Sequence, residues 1–225
     1  MRAPISVIIP TLNAEHSLPG CLGGLMEGVE AGLIRELIIS DGGSTDATGA
    51  IAQAWGAEIL HAAPSRGGQL NRGCAQATGE WLLVLHADTV LQAGWHKQVQ
   101  AHLAQSDKAG WFRLAFDRSG FAARTVAGWA NLRSRFGLPY GDQGLLVSRD
   151  LYAQVGGYPD QPLMEDVAIA RALKGRLVEL DAIAQTSADK YIRQGWLKRG
   201  TRNLLTLLRY FAGADVSTLA AQYRR

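Results

Sequence analysis

Cysteine is nearly missing from this 225-residue chain: there are two, Cys21 and Cys74, beside only three methionines. The two thiols lack metal-ligand spacing and cannot make a disulfide framework, so both are expected to be buried and inert. Long hydrophobic runs are missing too. No stretch reaches the roughly 18 apolar residues needed to span a bilayer. The apolar start, Ile5–Ile9, stops at Pro10, too short for a secretory core, and the expectation is a cytoplasmic chain. Several catalytic signatures are absent as well. No Gly-Lys pair occurs, which removes the P-loop, and no GxGxxG, HExxH, GxSxG or CxxC is found.

What is present suits a folded domain. Hydrophobic residues make up 47% and charged residues 19%, enough to bury a sizeable core. Net charge is only +3 but unevenly spread. From Lys190 to Arg225 there are eight basic residues against one acid, Asp215, so the remainder is net acidic.

The first half alternates strand and helix. Ile5–Ile9, Leu37–Ser40, Ala57–Leu60 and Trp81–Leu85 read as strands, the β-branched or apolar runs of a sheet covered on both faces. Helices are expected over Glu15–Val29, Ala47–Trp55 and Gln69–Ala77. Such alternation implies parallel strands with right-handed crossovers, and ligands outside their carboxyl ends. The second half is less regular. Strands are expected at Lys108–Phe116, Leu145–Ser148 and Leu177–Leu180, and helices at Phe121–Phe136, Glu165–Leu173, Leu197–Phe211 and Val216–Tyr223. Gly137–Gly144 reads as a loop. The expected division is a nucleotide half over 1–90, an acceptor half over 91–188 and a basic helical tail over 189–225.

Three acidic clusters fall at strand ends or helix starts. Asp41-Gly42-Gly43-Ser44 follows a strand, where Asp41 can accept hydrogen bonds from a base or ribose, or simply shape a turn. His86-Ala87-Asp88 follows the next-but-one strand; on an extended segment residues 86 and 88 share a face, suited to Mn2+ or Mg2+, or Asp88 caps a turn. Glu165-Asp166 opens a helix, where one acid can cap while the other enters a cleft. Arg66-Gly67-Gly68-Gln69, with Arg72, is a basic glycine-rich helix start able to cradle phosphate.

In their order, VIIPTLNAE, ISDGGSTDAT, RGGQLNRGCAQATGEWLLVLHADT and MEDVAIARAL resemble a family 2 glycosyltransferase of the GT-A fold, and PYGDQG with GGYP resembles a short bacterial subgroup. The resemblance covers about residues 4–180. It implies an α/β fold with a mostly parallel central sheet flanked by helices, and a nucleotide-diphosphosugar donor. Its donor-side residues are Pro10, Thr11, Leu12, Asn13 and Glu15 after the first strand, Asp41, Gly42 and Ser44, and Arg66, Gln69, Arg72 and Ala87. His86 and Asp88 stand as the metal motif, with Asp88 its one acid, and Leu12 stands where many members carry a stacking tyrosine. Asp166 is implied as the base of an inverting displacement onto an acceptor hydroxyl, with Glu165 beside it. Trp111, Tyr140, Asp142 and Gln143 are assigned to the acceptor side, with core and turn roles open for them. The processive QxxRW signature is absent; Arg193-Gln194-Gly195-Trp196 only echoes it.

For the tail, residues 190–213 either meet an anionic membrane, where a lipid acceptor would be found, or pack on the domain or a second copy. No nucleic-acid module is evident. The competing readings are a sugar-phosphate nucleotidyltransferase, which would need a glycine-rich basic loop after the first strand, and a non-catalytic nucleotide binder.

Overall fold

A computed structural model describes residues 3–223; Arg224 and Arg225, counted above in the tail, lie outside the described residues, as do Met1 and Arg2. In chain order the elements are β1 (Ile5–Thr11), α1 (Leu18–Gly24), α2 (Met26–Glu30), β2 (Ile34–Asp41), α3 (Thr48–Ala54), β3 (Glu58–His61), α4 (Arg66–Gln76) and β4 (Trp81–Val84). There follow β5 (Thr89–Leu91), α5 (Trp95–Gln105), β6 (Ala109–Phe116), α6 (Phe121–Arg135), a 3-10 turn (Gly141–Gln143), β7 (Leu145–Ser148) and α7 (Arg149–Gln154). The rest is α8 (Glu165–Ala172), β8 (Leu177–Thr186), α9 (Asp189–Gln194), α10 (Trp196–Phe211) and α11 (Val216–Tyr223).

The strands form one sheet in the order β3-β2-β1-β4-β7-β6-β8-β5. β1 lies parallel to β2 and β4, with Ile8 opposite both Ile38 and Val84. β7 runs antiparallel between β4 and β6, β8 is parallel to β6, and the short β5 closes the far edge antiparallel to β8. Alternation along β1 explains its composition. Ile5, Val7 and Ile9 enter one core with Leu18, Leu22 and Trp95, while Ile8 enters the other with Leu70, Cys74 and Leu82. Helices therefore cover both faces, as a continuous β-branched run requires. The mostly parallel α/β sheet expected from the sequence is present.

Several elements differ from expectation. The helix expected over Glu15–Val29 is two short ones meeting at Leu25. Its glycines are the reason: a Cβ at Gly24 would crowd Leu91 and one at Gly28 would strike the Trp95 ring, so small residues let the segment lie against the sheet edge and α5. β8 continues to Thr186, six residues beyond the expected end, with a register shift against β6 at Phe112/Arg113. β5, α5, α7 and α9 were not anticipated. His86–Asp88 is not extended. It is a turn in which the Thr89 N–H donates to the His86 carbonyl (3.0 Å).

No helix among the described residues is long and apolar enough to cross a membrane. The three final helices fold back over the carboxyl ends of the strands. Trp196 anchors them, its ring edge-on to Phe116 (5.1 Å) and stacked on Tyr191 (4.9 Å).

Candidate active site

The carboxyl ends of β1, β4 and β8 open into a crevice of two adjoining hollows. The larger, about 580 Å3, is bordered by Pro10, Thr11, Leu12 and Asn13 after β1 and by Gln69 on α4. The smaller, about 160 Å3, is bordered by Tyr140, Asp142, Glu165 and Asp166. Arg66, His86, Asp88 and Lys190 border both, at the junction. Ala87 lies on the larger side. The described residues hold two non-glycine positions with positive φ, Asn13 (51°) and Met164 (63°), and both line the crevice. Such conformations cost energy and persist where the surroundings fix them.

Beside the larger hollow the loops after β1 and β2 are laced together. The Asn13 amide donates to Ser44 Oγ (2.8 Å), the Thr45 amide to Asn13 Oδ1 (2.9 Å), the Glu15 amide to Asp46 (3.0 Å) and the Ala47 amide to the Glu15 carboxylate (2.9 Å). Gln69 Nε2 donates to the carbonyls of Thr11 and Ser40, both at 2.8 Å, tying α4 to the two strand ends. Asp41 sits at the centre, 2% exposed. It accepts from Thr11 Oγ1 (2.8 Å), the Gly43 amide (3.0 Å), the Ser44 amide (2.8 Å) and the Ser44 hydroxyl. Burial alone would raise its pKa. Those hydrogen bonds outweigh it and hold the carboxyl below the usual carboxylate range. Asp41, Gly42, Ser44 and Glu15 thus stand behind the wall that Thr11–Asn13 present to the crevice, shaping it without lining it.

The glycine-rich start of α4 departs from expectation. Its backbone amides are taken: Ser65 Oγ accepts from Gly68 (3.4 Å), and the Gly67 amide donates to the Gln161 carbonyl (3.0 Å). Gly67 is required because a Cβ there would collide with the Pro159 carbonyl. The Gly67 and Gly68 amides are thus engaged within the protein, and of this segment the Arg66 and Gln69 side chains border the crevice. Arg72, a turn and a half further on, borders neither hollow.

Arg66 joins the two halves. Its Nε lies 3.1 Å from Glu165 Oε1, and its Nη2 lies 3.1 and 3.2 Å from the two ring nitrogens of His86. Burial first, then the charges of Arg66 and Lys190, hold the His86 pKa well below its ordinary value, so the ring is neutral at pH 7. The turn carrying Asp142 presses on the same ring, and a Cβ at Gly141 would overlap it. Asp88 faces Lys190, whose Nζ is 3.6 Å from its Oδ2.

The smaller hollow carries three carboxylates. Asp166 Oδ2 accepts from the Gly141 amide (3.0 Å) and its Oδ1 from the Val167 amide (2.7 Å). Glu165 is 1% exposed, with Oε1 on Arg66 and Oε2 unpartnered. Burial and then Asp166 push its carboxyl up, against the pull of Arg66. Asp142 borders the hollow with a buried Oδ1 that no protein group satisfies. Burial pushes it up to about 6 against the pull of Arg133, and the charges of Asp166 and Asp88 add to the rise. Tyr140 lies under the Arg133 guanidinium, 3.2 Å from its ring centroid, and burial lifts its hydroxyl to about 12.

Two residues expected here belong elsewhere. Gln143 is fully buried and serves as a hub: its oxygen accepts from Ser134 and the Tyr140 amide, and its Nε2 donates to Asn131 (3.1 Å). Trp111 is 2% exposed in β6 and does not reach the crevice, the core role the sequence left open. Both cysteines are buried, their thiols pushed up to about 12, as expected.

Sequence reasoning missed one wall. Lys190, Tyr191, Arg199, Asn203 and Tyr223 of the last three helices border the smaller hollow. The available signal was on α10, where Arg199, Asn203 and Tyr210 recur on the side opposite the leucines.

Residues 6–144 match Glycosyl transferase family 2. A "PGL/p-HBAD biosynthesis glycosyltransferase" of Mycobacterium bovis is 41% identical over 99 residues, 40% of this chain and 38% of the relative. The chain thus spans well under half of that protein. An uncharacterized glycosyltransferase of M. bovis is 28% identical over 192 residues, covering 79% of this chain and 83% of the relative. Among solved structures, Staphylococcus aureus TarS superposes with a TM-score of 0.64 at 17% identity, over 96% of this chain and 41% of TarS. Glucosyl-3-phosphoglycerate synthase of Mycobacterium tuberculosis, solved with Mn2+ and UDP-glucose, gives 0.60 at 20% identity over 94% and 80%. At these identities the likeness shows a common fold. The extent of the family match settles the lineage: this chain belongs to glycosyl transferase family 2.

Proposed function

We propose that the protein transfers a sugar, with inversion, from a nucleotide diphosphosugar to the hydroxyl of an acceptor, a lipid among the candidates, with Asp166 as general base. One observation carries this reading. A carboxylate at the start of α8 and a cationic junction of Arg66 and Lys190 share one crevice with the loop after β1, at the carboxyl end of a parallel sheet. In support, TarS has been crystallised with UDP-GlcNAc and glucosyl-3-phosphoglycerate synthase with UDP-glucose.

In this reading the nucleoside lies in the larger hollow along Thr11–Asn13, and the diphosphate lies at the junction. The acceptor hydroxyl enters the smaller hollow and gives its proton to Asp166 as its oxygen attacks the anomeric carbon, a contribution of about 10²–10⁴-fold. The bond from that carbon to the diphosphate oxygen breaks, and the electron pair leaves with the diphosphate toward Arg66 and Lys190, so no general acid is required. Asp142, with an open acceptor atom, orients the sugar or the attacking hydroxyl. Glu165 holds Arg66 in place.

A divalent cation fits this junction through Asp88. Magnesium and manganese take oxygen ligands and are often held by one or two carboxylates plus substrate phosphates. No group of three or more His, Cys, Asp or Glu side chains able to hold a metal occurs among the described residues, and the His86 ring is engaged by Arg66. Asp88 would therefore be its carboxylate ligand, and the ion would supply further charge neutralisation for the leaving diphosphate.

The test is a screen of nucleotide sugars by thermal shift with Mg2+ or Mn2+, followed by acceptor addition. Stabilisation by at least one nucleotide sugar is expected, with free nucleoside diphosphate released only when an acceptor is present. Release of pyrophosphate from a sugar phosphate and a nucleoside triphosphate would instead establish a nucleotidyltransferase.

A further inference from the structure

The helix that closes the crevice is turned inside out. On α10 the buried or half-buried side carries Arg199, Asn203, Thr206 and Tyr210 with a single buried leucine, Leu207, whereas Leu197, Leu204, Leu208 and Phe211 face outward. At 100° per residue these four lie within about 60° of one another. Leu197 is 88% exposed. Its neighbour α6 does the same. It buries Ala123, Ala127 and Ala130 against the sheet and turns Phe121, Trp129, Leu132 and the following Phe136 outward within about 80°. α6 and α10 pack against each other. Scattered exposed leucines need no explanation, but apolar stripes on two adjoining helices mark a contact surface.

Charge decides what the surface meets. α6 and α10 together carry seven arginines and lysines and not one Asp or Glu. Arg124, Lys198 and Arg209 are exposed around the stripes, and Arg135, also exposed, pairs with Glu179 (2.8 Å). A second copy docking through the same face would set these cations against their own images, and like charges across an interface are costly. An aromatic and leucine stripe rimmed by cations suits an anionic bilayer, with rings and leucines at the acyl boundary and basic side chains among the headgroups.

We propose that the α6–α10 face docks the protein onto anionic phospholipid membranes. The inference is independent of the chemistry assigned to the crevice. It places the crevice about one helix diameter, roughly 10 Å, from the lipid surface, because α10 supplies both the docking stripe and a crevice wall.

Vesicle flotation of the full chain tests it, with phosphatidylcholine vesicles that contain or lack phosphatidylglycerol. Flotation is expected only with phosphatidylglycerol, weakened by salt. The double variants Leu204→Ser/Leu208→Ser and Phe121→Ser/Phe136→Ser should each reduce partitioning about ten-fold or more while melting normally, since these side chains are exposed. Brominated lipids should quench fluorescence in a manner lost in Trp129→Phe and kept in Trp55→Phe, since Trp55 lies next to α3, off this face. No flotation at low salt, flotation indifferent to phosphatidylglycerol, or undiminished flotation of both double variants would each overturn the proposal. So would a dimer in sedimentation equilibrium that the same substitutions dissociate.

Discussion

Asp41 and Asp142 are both acidic, both largely shielded and both near one crevice, yet their surroundings treat them oppositely. Asp41 has every lobe of its carboxylate engaged, tying Thr11 to the Gly43–Ser44 turn, and is held below its usual range. Asp142 has an oxygen with nothing to accept from and is lifted to about 6. Buried polar atoms are normally satisfied, so an unsatisfied one beside a hollow points to a missing partner such as substrate. The loops after β1 and β2 complete their own hydrogen bonds; the smaller hollow keeps an acceptor atom unpaired.

This contrast is open to attack. The largest effect is expected at Asp166. Asp166→Asn should lower turnover by about 10²–10⁴-fold with donor affinity and melting temperature little changed. Unaltered turnover would remove it from the chemistry. Asp41→Ala should do the reverse in kind. It strands the Thr11, Gly43 and Ser44 donors and should cost about 3 kcal/mol, roughly 6–12 °C in Tm by calorimetry. A variant that melts like the parent yet loses nucleotide binding would make Asp41 a ligand contact instead.

A subtler difference should appear with pH. Asp142 ionises near 6 in the folded chain and near 4 unfolded, so between those values the folded state holds a proton that the unfolded state has lost. Its contribution to stability therefore falls as pH rises from about 4 to 6. Asp142→Asn removes that loss, so urea titrations should find the variant gaining on the parent across the window and level below it. The smallest effect is reserved for Arg72. Arg72→Ala should leave nucleotide affinity within error, whereas Arg66→Ala on the same helix should weaken it by about ten-fold or more.

Legibility in the sequence followed the same divide. β1, β2 and β4 were readable because a strand covered on both faces must be continuously apolar, and Ile5–Ile9 admits few other fates. The loops at their carboxyl ends followed from that topology. β5 was not readable: three residues hydrogen-bonded to a partner nearly a hundred positions away leave no periodic trace. α5 escaped because of its eleven residues only Trp95, Val99 and His102 are buried. Among site residues, Asp88, Glu165 and Asp166 carried chain-local signals. Gln143 looked equally exposed to use, and only the packing of α6 reveals it as a fully enclosed hub. Lys190 and Tyr223 carried no chain-local signal as site residues, and Arg199 carried only its place opposite the leucines of α10, which does not say that the polar side turns inward.

That inversion bears on how the polypeptide can be cut. Every ladder of the sheet closes by Thr186, and the family match ends earlier still, at residue 144. A truncation guided by the family match would remove even β7, β8 and the Glu165-Asp166 helix start, whereas one guided by the sheet would retain the strands and their loops while deleting Lys190, Arg199, Asn203 and Tyr223. Such a fragment would resemble its relatives in outline and stand with its reaction chamber open on one side.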